Sequence, residues 1–288
     1  MKSKLFFDRI IVSSDDSPYF LDFWPIVSIA WNKYFGVRPT LALVTKKNMS
    51  DDFVRHLSKF GDVVVVPQFD SIPIANQAKL ARFFVASMFD NEVCMIEDID
   101  TIPLQSDYVI SKTSQRMKDR ILAVGKEIHP EIGKFPISNI TAEGYLFKKI
   151  FNPNSVSYDQ AINDLIGLRI FDHKEDLMND PTSFSDESLI RALIHVRGMQ
   201  SYVQDVSRDV DIRKNWVDRS WWAIDENKLT AGEYVCCNFL RPLSENFSYV
   251  RPIIDHILER PAAENNLLQH ASDFDLEKVN WVDLVSKK

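Results

Sequence analysis

The sequence predicts an α/β domain assembled from βαβ units, and three observations predict it. Short apolar runs alternate with segments of helical length through the first third of the chain. One run, Val63-Val64-Val65-Val66, is wholly β-branched, as in a strand covered on both faces of a parallel sheet. The 288 residues, 45% of them hydrophobic, supply the core such a fold needs.

The elements follow in order. A first strand is expected over 10–12, then Ser17 as a helix N-cap with Pro18 at the first helical position. Phe20, Trp24, Val27, Trp31 and Tyr34 recur at helical spacing as far as Gly36, which can close the helix, and Pro25 predicts a kink. A second strand is expected over 40–44, and a helix over 51–60 capped by Ser50 and stopped by Gly61. A third strand over 63–66 and a helix over 74–89 come next. The fourth strand, 93–96, runs straight into Glu97-Asp98-Ile99-Asp100. Beyond it the pattern loosens, with a strand over 121–124, helices over 161–165 and 188–195, and a strand over 234–239.

Composition excludes several classes. A net charge of −7 argues against a general nucleic-acid binder, which needs a basic surface to neutralise phosphates. The cysteines are Cys94, Cys236 and Cys237, an odd number with no CxxC pair, so a reducing compartment is expected rather than a disulfide framework. The histidines form no HExxH or HxH cluster, which leaves a zinc hydrolase without support. No apolar stretch reaches the roughly 18 residues of a membrane span. Asp8 and Arg9 interrupt the apolar N-terminus too early for a signal peptide, and a cytoplasmic protein is expected.

Ligands of an open α/β sheet collect beyond the carboxyl ends of its strands. Asp98 and Asp100 stand there, at i and i+2, where two carboxylates can turn toward one ion. Hard divalent cations such as Mg²⁺ or Mn²⁺ favour carboxylate oxygen and keep positions open for phosphate. A solvated turn or a helix cap would carry the same two residues, but the apolar strand before them and the three βα units upstream favour a ligand site.

The run from Met95 to Leu104 resembles the DxD segment of GT-A glycosyltransferases, and Asn76 to Arg82 resembles the helix those enzymes place before it. Trp216 to Trp221, with Tyr234 and Arg241-Pro242-Leu243, is similar to the C-terminal part of glycosyltransferases of large DNA viruses such as the chlorella viruses. The resemblance covers about 8–245 and implies a three-layer α/β/α domain with a mixed central sheet. It implies one domain, 1–288, with a nucleotide-sugar half over about 1–105, an acceptor half over about 106–260 and a tail over 261–288. The activity implied is transfer of a sugar from a nucleotide-diphosphate donor, foremost a UDP-sugar, to a glycan or other hydroxyl acceptor with Mn²⁺ or Mg²⁺. The compartment would be the host cytoplasm if the chain is viral.

Carried onto these residues, the resemblance places Ser13, Ser14 and Asp15 beside the base and ribose. Lys79 and Arg82, at i and i+3, share a helix face and would meet the diphosphate or donor sugar. Asp98 and Asp100 would ligate the metal, and Arg241 would assist the diphosphate. The family often adds a histidine ligand near the C-terminal end. None stands near Arg241, where Asn238 is the nearest oxygen ligand, with Asp218 or a water as alternatives.

An inverting transfer needs a carboxylate base. Asp186 and Glu187 are the candidates, left unresolved between them, although first-turn acids after the cap Ser185 also suit a helix dipole. The matching region of the family makes Asn139, Thr141, Glu143, Gly144 and Tyr145 candidates to line the sugar or acceptor. Trp216, Trp221 and Trp222 offer stacking surfaces or core packing. Two other readings share this plan: a sugar-nucleotide nucleotidyltransferase, disfavoured by the lack of glycine in Ser13-Ser14-Asp15-Asp16, and a catalytically degenerate glycan-binding protein.

Overall fold

The computed structural model describes residues 6–125, 135–136, 138–168 and 185–259. The expected tail over 261–288 lies outside them. Strands β1 (Arg9–Asp15), β2 (Thr40–Thr45), β3 (Asp62–Pro67) and β4 (Val93–Ile96) form the first half of the main sheet. After β5 (Thr101–Pro103) come β6 (Ile121–Val124), β7 (Ile140–Glu143), β8 (Val203–Val206), β9 (Trp216–Val217) and β10 (Cys236–Asn238). Seven strands make a sheet in the order β3-β2-β1-β4-β7-β6-β8, and β5-β10-β9 make a second, small one.

The main sheet is mixed, as expected. β1, β2, β3 and β4 are parallel, with Ile11 opposite Thr40 and Ile10 opposite Met95. β7 runs antiparallel to β4 and β6. Successive side chains point to opposite faces, so each strand feeds two cores. Ile10, Val12, Leu41, Leu43 and Met95 pack with Trp24 and Trp31 on one side, while Ile11, Ala42, Val44, Cys94 and Ile96 pack with Leu80, Phe83 and Phe147 on the other. That division is what makes three layers.

Several local expectations are corrected. Pro25 does not kink a continuous helix. It sits in the first turn of a second helix, Trp24–Phe35, separate from Pro18–Leu21, where a missing N–H costs nothing. Ser17 does cap the first of these, and Gly36 closes the second with φ 67. The next helix is shorter than expected, Asp52–Leu57, and its cap is Asp51, whose carboxylate accepts from the Phe53 N–H at 2.9 Å, rather than Ser50. β3 is an edge strand with Val64 and Val65 half-buried, so its four valines do not mark a strand covered on both faces.

Gly144 opens the Gly144–Phe151 helix directly against the preceding segment. A Cβ there would lie 2.1 Å from the Phe89 carbonyl oxygen and 2.8 Å from that of Ala86. The close backbone approach foreseen for Gly144 is therefore internal packing. Gly144→Ala is expected to cost about 2 kcal/mol in overpacking, read from urea denaturation; an unchanged midpoint would show that the helix shifts freely.

Candidate active site

The carboxyl ends of β1 and β4 face the helix Ile74–Ala86 across a cleft of about 170 Å³. The helix presents Ala75, Ala78, Lys79 and Arg82, which recur at one-turn spacing and so form a single stripe. Gln77 points the other way and anchors the preceding loop through bonds to Phe69 and Ile72. From β1, Ser13, Ser14 and Asp15 reach the cleft, with Phe20 behind them. Asp98 and Asp100 come from the end of β4, Asp186 from the start of the Asp186–Val196 helix, and Arg219 and Arg241 from beyond β9 and β10.

Two ion-pair groups organise the floor. Arg82 is 5% exposed and holds Asp98 Oδ1 at 2.6 Å through Nη1 and Asp186 Oδ2 at 2.6 Å through Nη2; Nη1 also donates to the Glu97 carbonyl at 3.1 Å. Burial alone would lower the Arg82 pKa, and the carboxylates of Asp98 and Asp186 more than reverse that. Desolvation at the cleft floor pushes against ionisation of the half-exposed Asp98, but Arg82 outweighs it and leaves the Asp98 pKa below the ordinary carboxylate value. In the second group Asp100 Oδ2 accepts from Arg219 Nη1 at 2.6 Å and forms an ion pair with Arg241, whose Nε lies 2.9 Å away. Arg241 also stacks over Phe20, 5.1 Å from the ring centroid.

Two further groups bear on the cleft. The Ser14 hydroxyl is buried with no hydrogen-bond partner among the described residues, an unsatisfied donor and acceptor in the cleft wall. Glu97, behind Asp98, is buried and accepts from the Asp98 N–H at 3.0 Å. Burial and the neighbouring Asp98 charge push its pKa to about 8.

Nine of the eleven residues assigned from sequence converge here: Ser13, Ser14, Asp15, Lys79, Arg82, Asp98, Asp100, Asp186 and Arg241. Asn238 does not line the cleft. Its carboxamide oxygen accepts from Thr101 at 2.9 Å and its nitrogen donates to Asp218 at 2.9 Å, so it ties β5 to the turn after β9. Glu187, one position beyond Asp186, also lies outside the lining. Glu143 pairs with Arg116 and Tyr145 with Asp119, and neither reaches the cleft. Trp216 is buried edge-on against Tyr108, Trp222 packs near Phe239, and Trp221 is exposed away from the lining.

Five further residues line the cleft, Phe20, Ala75, Ala78, Ile99 and Arg219, of which Phe20 and Arg219 bring an aromatic ring and a charge. In the sequence Phe20 stands only as one member of an apolar helical stripe. Arg219 lies between tryptophans, and Asp218 before it, which accepts from the Ser220 N–H at 2.8 Å, marks a tight turn able to present a side chain.

As arranged among the described residues, the two carboxylates do not present an open site for the expected Mn²⁺ or Mg²⁺. Such an ion needs several oxygen donors turned to one point. Here Asp98 Oδ1 and Asp100 Oδ2 each carry a guanidinium at 2.9 Å or less, which leaves one oxygen of each carboxylate outside the ion pairs, and the Asn238 oxygen is spent on Thr101. Among the described residues no three His, Cys, Asp or Glu side chains are grouped to share an ion.

No protein-family model matches this chain, and no curated protein matches its sequence. The likeness to viral enzymes thus rests on the motif residues alone. Solved structures with a similar backbone include the glycosyltransferase GlyE of Streptococcus pneumoniae TIGR4, at 10% identity and TM-score 0.47 over 89% of this chain. This chain spans 66% of that one, just under two thirds. Another is the galactosyltransferase LgtC in complex with donor and acceptor sugar analogs, at 11% identity and TM-score 0.46, covering 91% of this chain and 99% of that one. A third is mouse xyloside xylosyltransferase 1, at 8% identity and TM-score 0.38, covering 80% and 96%.

Proposed function

We propose that the chain is a glycosyltransferase that moves a sugar from a nucleotide-diphosphate donor, foremost a UDP-sugar, to a hydroxyl of a glycan acceptor. The observation that carries this reading is the convergence of a polar β1 end, a cationic helix stripe and the Asp98–Asp100 segment on one cleft at the carboxyl edge of the sheet. The unsatisfied Ser14 hydroxyl in its wall adds a group suited to a ribose or base. Three free, buried cysteines accord with a reducing compartment such as the cytoplasm. Among the described residues no helix is long and apolar enough to cross a membrane.

In the transfer, the acceptor oxygen attacks the anomeric carbon as the bond from that carbon to the phosphate oxygen breaks. The electron pair leaves with the nucleoside diphosphate, and the acceptor proton passes to a carboxylate. Asp186 faces the cleft and Glu187 does not, so Asp186 is the better placed base for an inverting reaction. Since the carboxylate pair does not fit a divalent ion as arranged, no step is routed through Mn²⁺ or Mg²⁺.

Hydrolysis of a panel of nucleotide sugars, with release of nucleoside diphosphate as the readout, tests the reading. One donor is expected to be turned over, and Asp98→Ala and Asp100→Ala are expected to lose that turnover. If no donor is hydrolysed and no nucleoside diphosphate raises the melting temperature, the reading fails. For the base, Asp186→Asn is expected to cut kcat by about a hundredfold or more while donor KM changes little, and Glu187→Gln to stay within a few-fold of the parent. The reverse ranking would move the base to Glu187.

A further inference from the structure

Resting on that reading, we infer that Arg219 and Arg241 form a direct diphosphate clamp, taking the charge-neutralising place that a divalent cation was expected to fill. The charges of the cleft are unevenly divided. Arg82 meets two carboxylates, Asp98 and Asp186, so that group carries a net negative charge. Two guanidiniums meet the single carboxylate of Asp100, so that group carries a net positive charge. An anion is accommodated at the second group, while the first, which includes Asp186, suits the proton that is released.

The geometry supports the clamp at the level of single atoms. Asp100 engages only Nη1 of Arg219 and only Nε of Arg241. Nη2 of Arg219 and both terminal nitrogens of Arg241 have no hydrogen-bond partner among the described residues. A guanidinium carries five N–H donors in a planar fork that matches phosphate oxygens. Arg241 is 22% exposed and Arg219 38%, so the forks are reachable while their stems are held.

Both arginines also follow strands of the small sheet. β9 and β10 pair in parallel, Arg219 follows β9 in a turn fixed by Asp218, and the Phe239 N–H donates to the Asp100 carbonyl at 2.9 Å. Asp100 and the two cations are thereby positioned by one small sheet. In this role the backbone sets the arginines and Asp100 is a counter-charge that competes with phosphate for them, and the opposite responses of its neutral variant under the two schemes separate them.

The test uses the full chain with inorganic pyrophosphate, UDP and GDP as probes, in EDTA and in Mn²⁺, with affinity measured by calorimetry and folding checked by melting. Pyrophosphate and one nucleotide are expected to bind in EDTA, with less than about a tenfold gain from Mn²⁺. Arg219→Gln and Arg241→Gln are each expected to weaken binding about tenfold or more, with Arg→Lys recovering part of it. Asp100→Asn, which removes the competing charge and keeps the side-chain volume, is expected to hold or tighten binding. Binding seen only with Mn²⁺ and abolished by Asp100→Asn, with the glutamine variants intact, would overturn the clamp while leaving the glycosyltransferase reading standing. Failure of every probe and every nucleotide sugar in both conditions would remove the reading and the clamp together.

Discussion

Arg82→Met is expected to lower the stability of the chain by about 3 kcal/mol, because it strips the shared cation from two carboxylates and leaves one of them buried and unpaired. The Asp186 side chain is 13% exposed and would carry most of that cost, whereas Asp98 is 43% exposed and largely screened by water. Methionine fills much of the space of the arginine stem, so the loss reports the charge rather than a cavity. The same change should remove the electrostatic support of Asp98 and reduce turnover. Urea denaturation at neutral pH reads the first effect. The interpretation predicts that Arg82→Met combined with Asp186→Leu recovers part of the lost stability, since the orphaned charge is then gone. A double variant no more stable than the single one would assign the loss to packing.

Glu97→Gln is expected to act in the opposite direction and only at higher pH. The Glu97 carboxyl has a folded-state pKa of about 8 against an ordinary 4.5, with burial as the main cause and the charge of Asp98 second. Between those values the folded chain holds a proton that the unfolded chain has released, so this group's contribution is fully present below pH 4.5 and is lost as pH rises toward 8. Glutamine mimics the protonated acid and can still accept from the Asp98 N–H. At pH 5 the variant and parent should melt within a degree or two of each other. At pH 8 the variant should be more stable by a few kcal/mol, the order given by a shift of this size at a fully buried site. Parallel melting curves across that range would mean that Glu97 ionises freely in the folded state.

The first half of the fold was legible because its strands are short, apolar and followed by capped helices, so periodicity and turn chemistry agree. Strand 93–96 was located to the residue, and with it the Asp98–Asp100 segment. Pro25 misled because a proline that starts a helix and one that kinks it leave the same mark in the sequence; only the break after Leu21 decides. β7 was not foreseen, since its four residues flank a positive-φ Asn139 and make their pairing with β4 at long range. The antiparallel turn of the sheet was therefore reached through resemblance and not through the residues.

The site was half legible for a related reason. Residue types at a strand end announce charge, but not which opposite charge will face them from 119 residues away, as Arg219 faces Asp100. Asn238 stood at the right place in the chain and one strand aside in space, since its register opposite Thr101 turns its amide into the small sheet. The tryptophans around Arg219 are ambiguous in sequence because aromatic residues signal both ligand stacking and core, and Trp216 belongs to the core.

The four carboxylates of the cleft, Asp15, Asp98, Asp100 and Asp186, are matched by four cations, Lys79, Arg82, Arg219 and Arg241. A polyanion approaching this mouth from bulk solution therefore meets no attractive long-range field, and the surrounding surface of a chain at −7 mildly repels it. Capture then depends on contact with the N–H groups of Arg219 and Arg241 that Asp100 leaves unengaged, and not on long-range steering. Association should accordingly be slow for a charged ligand and nearly indifferent to added salt.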